Sequence, residues 1–146
     1  MQPGVDYIGV GVGGLIVNEK DETLLMKRGL KSRNLIGYWN RPGGIIEFGE
    51  NSRNAICREI REEFGVEVEI LGAFGTDETF LTEEKQHWVS IQYVCRITQG
   101  NPKNMEPDKV DEIGWFPLTK LPEPHHATLA LWAETYLREK NRFWKN

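Results

Sequence analysis

With 146 residues, the chain is long enough to bury one sizeable core, and a single domain spanning residues 1–146 is the expectation. A net charge of −4 with 27% charged residues describes an ordinary polar surface and no basic field that would favour duplex nucleic acid. The apolar stretch at residues 8–17 is too short to cross a bilayer, is interrupted by Gly9, Gly11, Gly13 and Gly14, and has no basic leader, so no membrane association and a cytoplasmic location are expected.

Residues 7–17 and 23–27 read as strands joined by a polar turn at 18–22, which predicts an antiparallel hairpin. Residues 38–46 lead as a loop and short strand into a helix that Asn51 or Ser52 can cap and Gly65 can end in a left-handed conformation. Ile56, Cys57, Ile60 and Phe64 form the apolar stripe of that helix. Strands follow at 67–76 and 88–97, where Val89, Ile91, Tyr93 and Cys95 alternate with Ser90, Gln92, Val94 and Arg96. Residues 114–116 form another short strand. At 128–140, Leu131, Trp132, Thr135 and Tyr136 recur at helical spacing and predict a second helix closing the sheet's other face. The sum is an α/β chain with a mixed sheet between helices. Cys57 and Cys95 have no metal-ligand spacing and make no disulfide framework, so both read as core thiols.

The first helix carries Glu59, Glu62 and Glu63. On a helical wheel these span about 100° of arc, at the edge of the apolar stripe. Like charges three and four apart destabilise a helix by roughly 0.2–0.5 kcal/mol per pair, a cost that a divalent cation removes. Oxygen-only ligands suit Mg²⁺ or Mn²⁺, with water and substrate phosphate as the remaining ligands. A run of glutamates is more often a solvated helix face, and the register of the surrounding residues decides between the two readings.

Gly44, Glu50, Arg58, Glu59, Ile60, Glu62, Glu63, Gly65 and Val66 fill the pattern G-x5-E-x7-R-E-U-x-E-E-x-G-U over 23 residues, U being bulky and aliphatic. This segment resembles the Nudix box. The flanks GYWNRPGG and DEIGWFPLTKLP are also similar to that family, so the resemblance extends over most of the chain. It implies an α/β/α Nudix sandwich and attack of water on a diphosphate linkage. Magnesium, or manganese, would be held by Glu59 and Glu63, with Glu62 binding directly or through water and the Gly43 carbonyl as a further ligand. Arg58 is expected to pair with Glu50 and brace the loop against the helix, a contact that suits a planar guanidinium. Gly43 and Gly44 would allow the close backbone approach that a Cβ obstructs.

Outside the box, Lys27 and Arg28 end a strand and could face the substrate. Arg41 stands where many relatives carry an apolar side chain; it could reach a phosphate or simply cover the surface beside Trp39. Trp39, Trp88, Trp115 and Phe116 could stack on a base or pack in the core. Residues 101–115 form a carboxylate-bearing loop, and the resemblance implies that a base or extra ligand can come from outside the box. Glu106, Asp108 and Glu112 are the candidates, Glu106 being preferred. His87, His125 and His126 read as surface or capping residues, with His87 also able to line the pocket.

The stretches HWVSIQYV and PKNMEPDKVDEIGW are similar to MutT-like nucleoside triphosphate diphosphatases. The proline that marks ADP-ribose hydrolases beyond the box is not found between Gly65 and Asn101. The resemblance therefore implies hydrolysis of a nucleoside triphosphate, normal or modified, to monophosphate and pyrophosphate. A nucleotide-sugar or dinucleotide diphosphatase is the alternative, and a non-catalytic nucleotide-sensing domain a further one that has no need of the three glutamates together. The expected partner is thus a small nucleoside diphosphate-linked molecule. A homodimer is expected from similar proteins, without an interface legible in the sequence.

Overall fold

Alternation along the strands sorts the apolar side chains of this chain onto two faces, each covered by one helix. The computed structural model describes residues 1–32 and 34–144. In chain order the elements are β1 (Gly9–Ile16), β2 (Glu22–Arg28), β3 (Trp39–Asn40), β4 (Gly43–Ile45), α1 (Ser52–Phe64), β5 (Glu67–Leu81), β6 (Gln86–Gln99), β7 (Val110–Pro117) and α2 (Ala127–Glu139), followed by one short 3₁₀ turn, Lys140–Arg142. The strands form a four-stranded sheet, β4-β1-β6-β5, and a three-stranded sheet, β3-β2-β7.

The expected hairpin between β1 and β2 does not form. β1 lies parallel to β6, from Gly9 opposite Trp88 to Ile16 opposite Cys95, and antiparallel to β4. β2 pairs instead with β3 and β7 in the other sheet, and a single bridge between Val17 and Thr23 is what remains of the hairpin. The turn residues behave as anticipated: the Asn18 side chain accepts the N–H groups of Lys20 and Glu22, both at 3.0 Å. They send the chain across to the second sheet because β1 is buried along nearly its whole length, which an interior strand tolerates and a hairpin edge does not. Choice of partner is non-local, so the turn chemistry could not reveal it.

Period two then divides the core. Val12, Ile16, Leu24, Met26, Tyr93 and Cys95 point to α1 and meet Ala55, Ile56, Ile60 and Phe64. Leu15, Val17, Leu25 and Val94 point to α2 and meet Leu129, Ala133 and Tyr136. Cys57, placed in the apolar stripe by spacing, is only half-buried at its margin, whereas Cys95 is fully enclosed. In α2 the buried face is Leu129, Trp132, Ala133 and Tyr136, with Leu131 turned to solvent, so the stripe is rotated from the expected one. Phe143 is buried against Phe74 and Tyr136, and Trp144 donates to the Tyr136 hydroxyl. Phe143 thus belongs to the core on the α2 side, with Trp144 packed at its margin. No helix among the described residues is long and apolar enough to cross a membrane.

Both ends of α1 are set by the residues that the sequence marks. The Asn51 side chain accepts the Asn54 N–H at 2.8 Å, and Gly65, at φ 70°, returns its N–H to the Arg61 carbonyl. A Cβ in that left-handed conformation costs roughly 1–2 kcal/mol. Gly65→Ala is therefore expected to lower stability by about 1 kcal/mol in urea titrations, and Gly65→Asn by less, since asparagine tolerates this conformation.

Candidate functional site

The site is assembled where β4 meets α1. Gly43 and Gly44 lie antiparallel to Gly13 and Val12 of β1. From this strand the Gly43 N–H donates to Glu63 Oε1 at 3.1 Å. A Cβ on Gly44 would overlap the Glu59 carboxylate, and one on Gly43 would overlap the Val12 carbonyl, so the cradle exists only with glycine at both positions.

The three glutamates of α1 are not equivalent. Glu63 is 7% exposed. Burial first, and then the charge of Glu59, push its carboxyl well above the ordinary carboxylate range, against the opposing Gly43 N–H; Glu106 pushes the same way and Arg28 opposes. Glu59 is also raised by burial, with Arg58 opposing. The Glu62 side chain is 54% exposed and stands at the rim.

Arg58 organises the outer side. Its Nε donates to Glu50 Oε2 at 2.7 Å and its Nη2 to Glu50 Oε1 at 2.9 Å, a bidentate contact that holds the Glu50 carboxyl below its usual range. Nη2 also reaches the Ile45 carbonyl at 3.1 Å, which ties β4 to the helix. Nη1 contacts Glu59 at 3.0 Å and Glu62 at 3.3 Å. Among the described residues no three carboxylate, imidazole or thiolate side chains already stand close enough to enclose a cation. The geometry accounts for this, since Glu59 and Glu62 lean on Arg58 while Glu63 leans on Gly43. The donors still fit a hard divalent cation: two desolvated carboxylates beside a backbone free of Cβ atoms, with water and phosphate needed to complete the shell.

Of the loop acids, only Glu106 comes to this cluster, where its charge acts on both Glu59 and Glu63. It is carried there because its loop is laid across the end of α1, Lys103 N–H donating to the Phe64 carbonyl at 2.9 Å and Met105 N–H to that of Glu63 at 3.2 Å. Asp108 is exposed, and Glu112 pairs with Lys27 at 3.7 Å on the outside.

A cleft of about 270 Å³ runs from Glu63, Gly43 and Arg28 along the four-stranded sheet to Gln92, Asp77 and Trp88. Arg28 donates through Nε to the Asn34 carbonyl at 2.8 Å, and burial lowers its pKa while Glu63 opposes. Three expectations need correction. Arg41 is not a surface residue: it is 8% exposed, on the cleft wall. Trp39 does not face the cleft, because it packs edge-on against Phe116 in the core under α2; Trp88 is the tryptophan on the wall. His87 also lies off the cleft, stacked on Phe80 and 3.1 Å from Glu78. In a strand, neighbouring positions face opposite sides, so Trp88 turns to the cleft and His87 away from it.

The histidine that does line the cleft is His126. It caps α2, its Nδ1 accepting the Thr128 N–H at 3.2 Å and standing 2.8 Å from the Thr128 hydroxyl, which leaves Nε2 to carry the proton. The capping role is the one read for this histidine from the sequence, and nothing local told that the same ring would border the cleft. Burial first, then the charge of Arg41, push its pKa down to about 4. The unfolded chain takes up this proton near pH 6.5 and the folded chain only at about 4, so the stability held by neutral His126 is present above pH 6.5 and is lost as pH falls through that window. In urea titrations between neutral pH and about pH 4.5, the wild type is expected to lose more stability than His126→Asn, which keeps a capping oxygen but takes no proton. Equal losses would show that the imidazole is not the source.

The sequence profile of the NUDIX domain matches residues 8–138. An ADP-ribose pyrophosphatase from Methanocaldococcus jannaschii is 33% identical over 138 residues, covering 94% of this chain and 75% of its own length. The human 8-oxo-dGDP phosphatase NUDT18 is 30% identical over 131 residues, covering 87% of this chain; the chain spans only 37% of that relative. Among solved structures, a MutT Nudix hydrolase from Burkholderia pseudomallei superposes with a TM-score of 0.81 at 32% identity, covering 88% of this chain and 98% of its own. The glycine cradle, the Arg58–Glu50 brace and the matched profile agree, and the chain belongs to the Nudix family of hydrolases.

Proposed function

We propose that the chain hydrolyses a diphosphate linkage in a nucleotide, with a nucleoside triphosphate, normal or modified, going to monophosphate and pyrophosphate as the first substrate class. The observation that carries this reading is Glu63, a desolvated carboxylate beside a second one, Glu59, at the mouth of a cleft that Arg28 also lines. Glu59 and Glu63 would hold Mg²⁺, or Mn²⁺, with the Gly43 carbonyl and, at the rim, Glu62 as further oxygen donors. Bound there, the ion supplies charge neutralisation on the phosphates and an acidified water.

The remaining work falls to the chain's own groups. Arg28, which lines the cleft together with Glu63, faces the phosphates and offsets their charge. Glu106, on its anchored loop, takes the proton of the attacking water. Arg58 keeps Glu50 and the loop fixed, so that the glutamates return to one geometry after each turnover. The name of the human relative, an 8-oxo-dGDP phosphatase, supports a nucleoside polyphosphate substrate. The archaeal relative, an ADP-ribose pyrophosphatase at higher identity, favours a nucleotide-sugar as the second reading, even though the proline expected for that subgroup is not found. Two free thiols, Cys57 and Cys95, suit a reducing, cytoplasmic setting.

Glu63→Gln is expected to reduce turnover by about a hundredfold or more. Its urea midpoint should stay equal to the wild type's or rise, because glutamine keeps the shape and the acceptor for the Gly43 N–H and has no carboxylate to desolvate. Near-normal activity in this variant would overturn the assignment. A panel of nucleoside triphosphates, nucleoside diphosphates and nucleotide-sugars, assayed with and without Mg²⁺, separates the substrate readings by which products appear.

A further inference from the structure

The guanidinium of Arg41 is almost fully occupied by its own neighbours. Nε donates to Gln92 Oε1 at 2.7 Å, Nη1 to Asn40 Oδ1 at 3.2 Å, and Nη2 to Asp77 Oδ2 and Thr128 Oγ1, each at 3.2 Å. A guanidinium has five N–H groups, and four of them are accounted for. Arg41 and Gln92 are 8% and 2% exposed, so the Arg41–Asp77 pair is close to dry. A phosphate brought to this wall would meet the Asp77 carboxylate together with a cation already neutralised by it. Arg41 is therefore poorly suited to bind phosphate.

What it does instead is orient three side chains that line the cleft. Because a guanidinium only donates, Gln92 must turn Oε1 toward it and present Nε2–H₂ on the other arm, which makes no hydrogen bond among the described residues. Asn40 is locked in the same sense, its Oδ1 taking both the Arg41 N–H at 2.8 Å and Nη1. Asp77 Oδ2 receives Arg41 and the Trp132 indole N–H, the latter at 2.7 Å, which leaves Oδ1 as a fixed acceptor. Register places Gln92 away from the glutamates: Gly43 lies opposite Gly13, and Gly13 opposite Gln92. Two strand spacings, roughly 10 Å, separate Gln92 from the Gly43 backbone that holds Glu63.

We propose that Asn40, Asp77 and Gln92 are the contact for the nucleobase, and that Arg41 is a positioning residue that holds their donor and acceptor groups toward it. Paired amide donors and a carboxylate acceptor match the edge of a base, which carries both kinds of group; a second phosphate would be repelled. This inference rests on diphosphate hydrolysis at the Glu59–Glu63 end and assigns the opposite end of the same cleft.

The test is steady-state kinetics with Mg²⁺ on nucleoside triphosphates bearing four different bases and on ribose 5-triphosphate, which has none. In Arg41→Leu, the preference for nucleotides over the base-free compound, taken as a ratio of kcat/KM, is expected to fall about tenfold or more, through KM rather than kcat, and discrimination among bases should flatten. Gln92→Leu keeps the Arg41–Asp77 pair and should give the same pattern, which covers the case that Arg41→Leu does not fold. An equal loss on the base-free compound, or an unchanged ratio in Gln92→Leu, would overturn the proposal while leaving the hydrolase reading intact. A wild-type chain inert toward every compound would overturn the hydrolase reading, and this inference with it.

Discussion

The carboxylate of Glu63 is held out of water, and much of the surrounding architecture follows from what that requires. A desolvated charge is tolerated only with partners, and here the protein supplies one backbone N–H from Gly43 and the more distant Arg28. On the proposed reading, a cation would complete that partial compensation. It also explains why so many uncharged features are exacting: α1 must start and stop where it does, β4 must lie close enough for its N–H to reach the carboxylate, and Gly44 must have no side chain. Arg58 adds a complementary constraint by gripping Glu50 and the Ile45 carbonyl, so that the loop ahead of the helix cannot drift from the glutamates behind it.

Along the cleft, charge changes character. At one end the carboxylates of Glu59, Glu62, Glu63 and Glu106 outnumber the cations Arg28 and Arg58 beside them, a surplus of negative charge that would suit a cation and the phosphates it attracts. Toward the other end Arg41 and Asp77 cancel each other, and the wall is lined by amides, Trp88 and the neutral ring of His126. The sheet sets this polarity, because β1 lies between β4 and β6 and spaces the two ends by whole strands. A nucleotide has the same polarity, with charged phosphates and a neutral hydrogen-bonding base.

The box residues, both helix ends and the strand at β6 were legible because each depends on short-range chemistry: a capping side chain, a left-handed glycine, an alternation of two, or a fixed register of acids on one helix. The Arg58–Glu50 contact was implied by the resemblance to the Nudix box, and the structure makes it. Trp39, His87 and Arg41 were another matter. Each sits where a one-residue change of parity or a distant partner decides whether it faces core, cleft or solvent. Arg41 meets Asp77 and Thr128 from strands and helices far along the chain, and nothing near it announces either.

By itself, then, the order of residues determined the helix with its acidic edge, the glycines that cradle it and the family to which they belong, since those features are written in local spacing. Tertiary structure alone decided that β1 would pair in parallel with β6 instead of turning back on β2, that His126 and not His87 would border the cleft, and that a buried arginine would orient Gln92 and Asp77. The physical reason is common to all three: strand pairing and burial are settled by the competition of every apolar surface for one core, and that competition has no short-range signature.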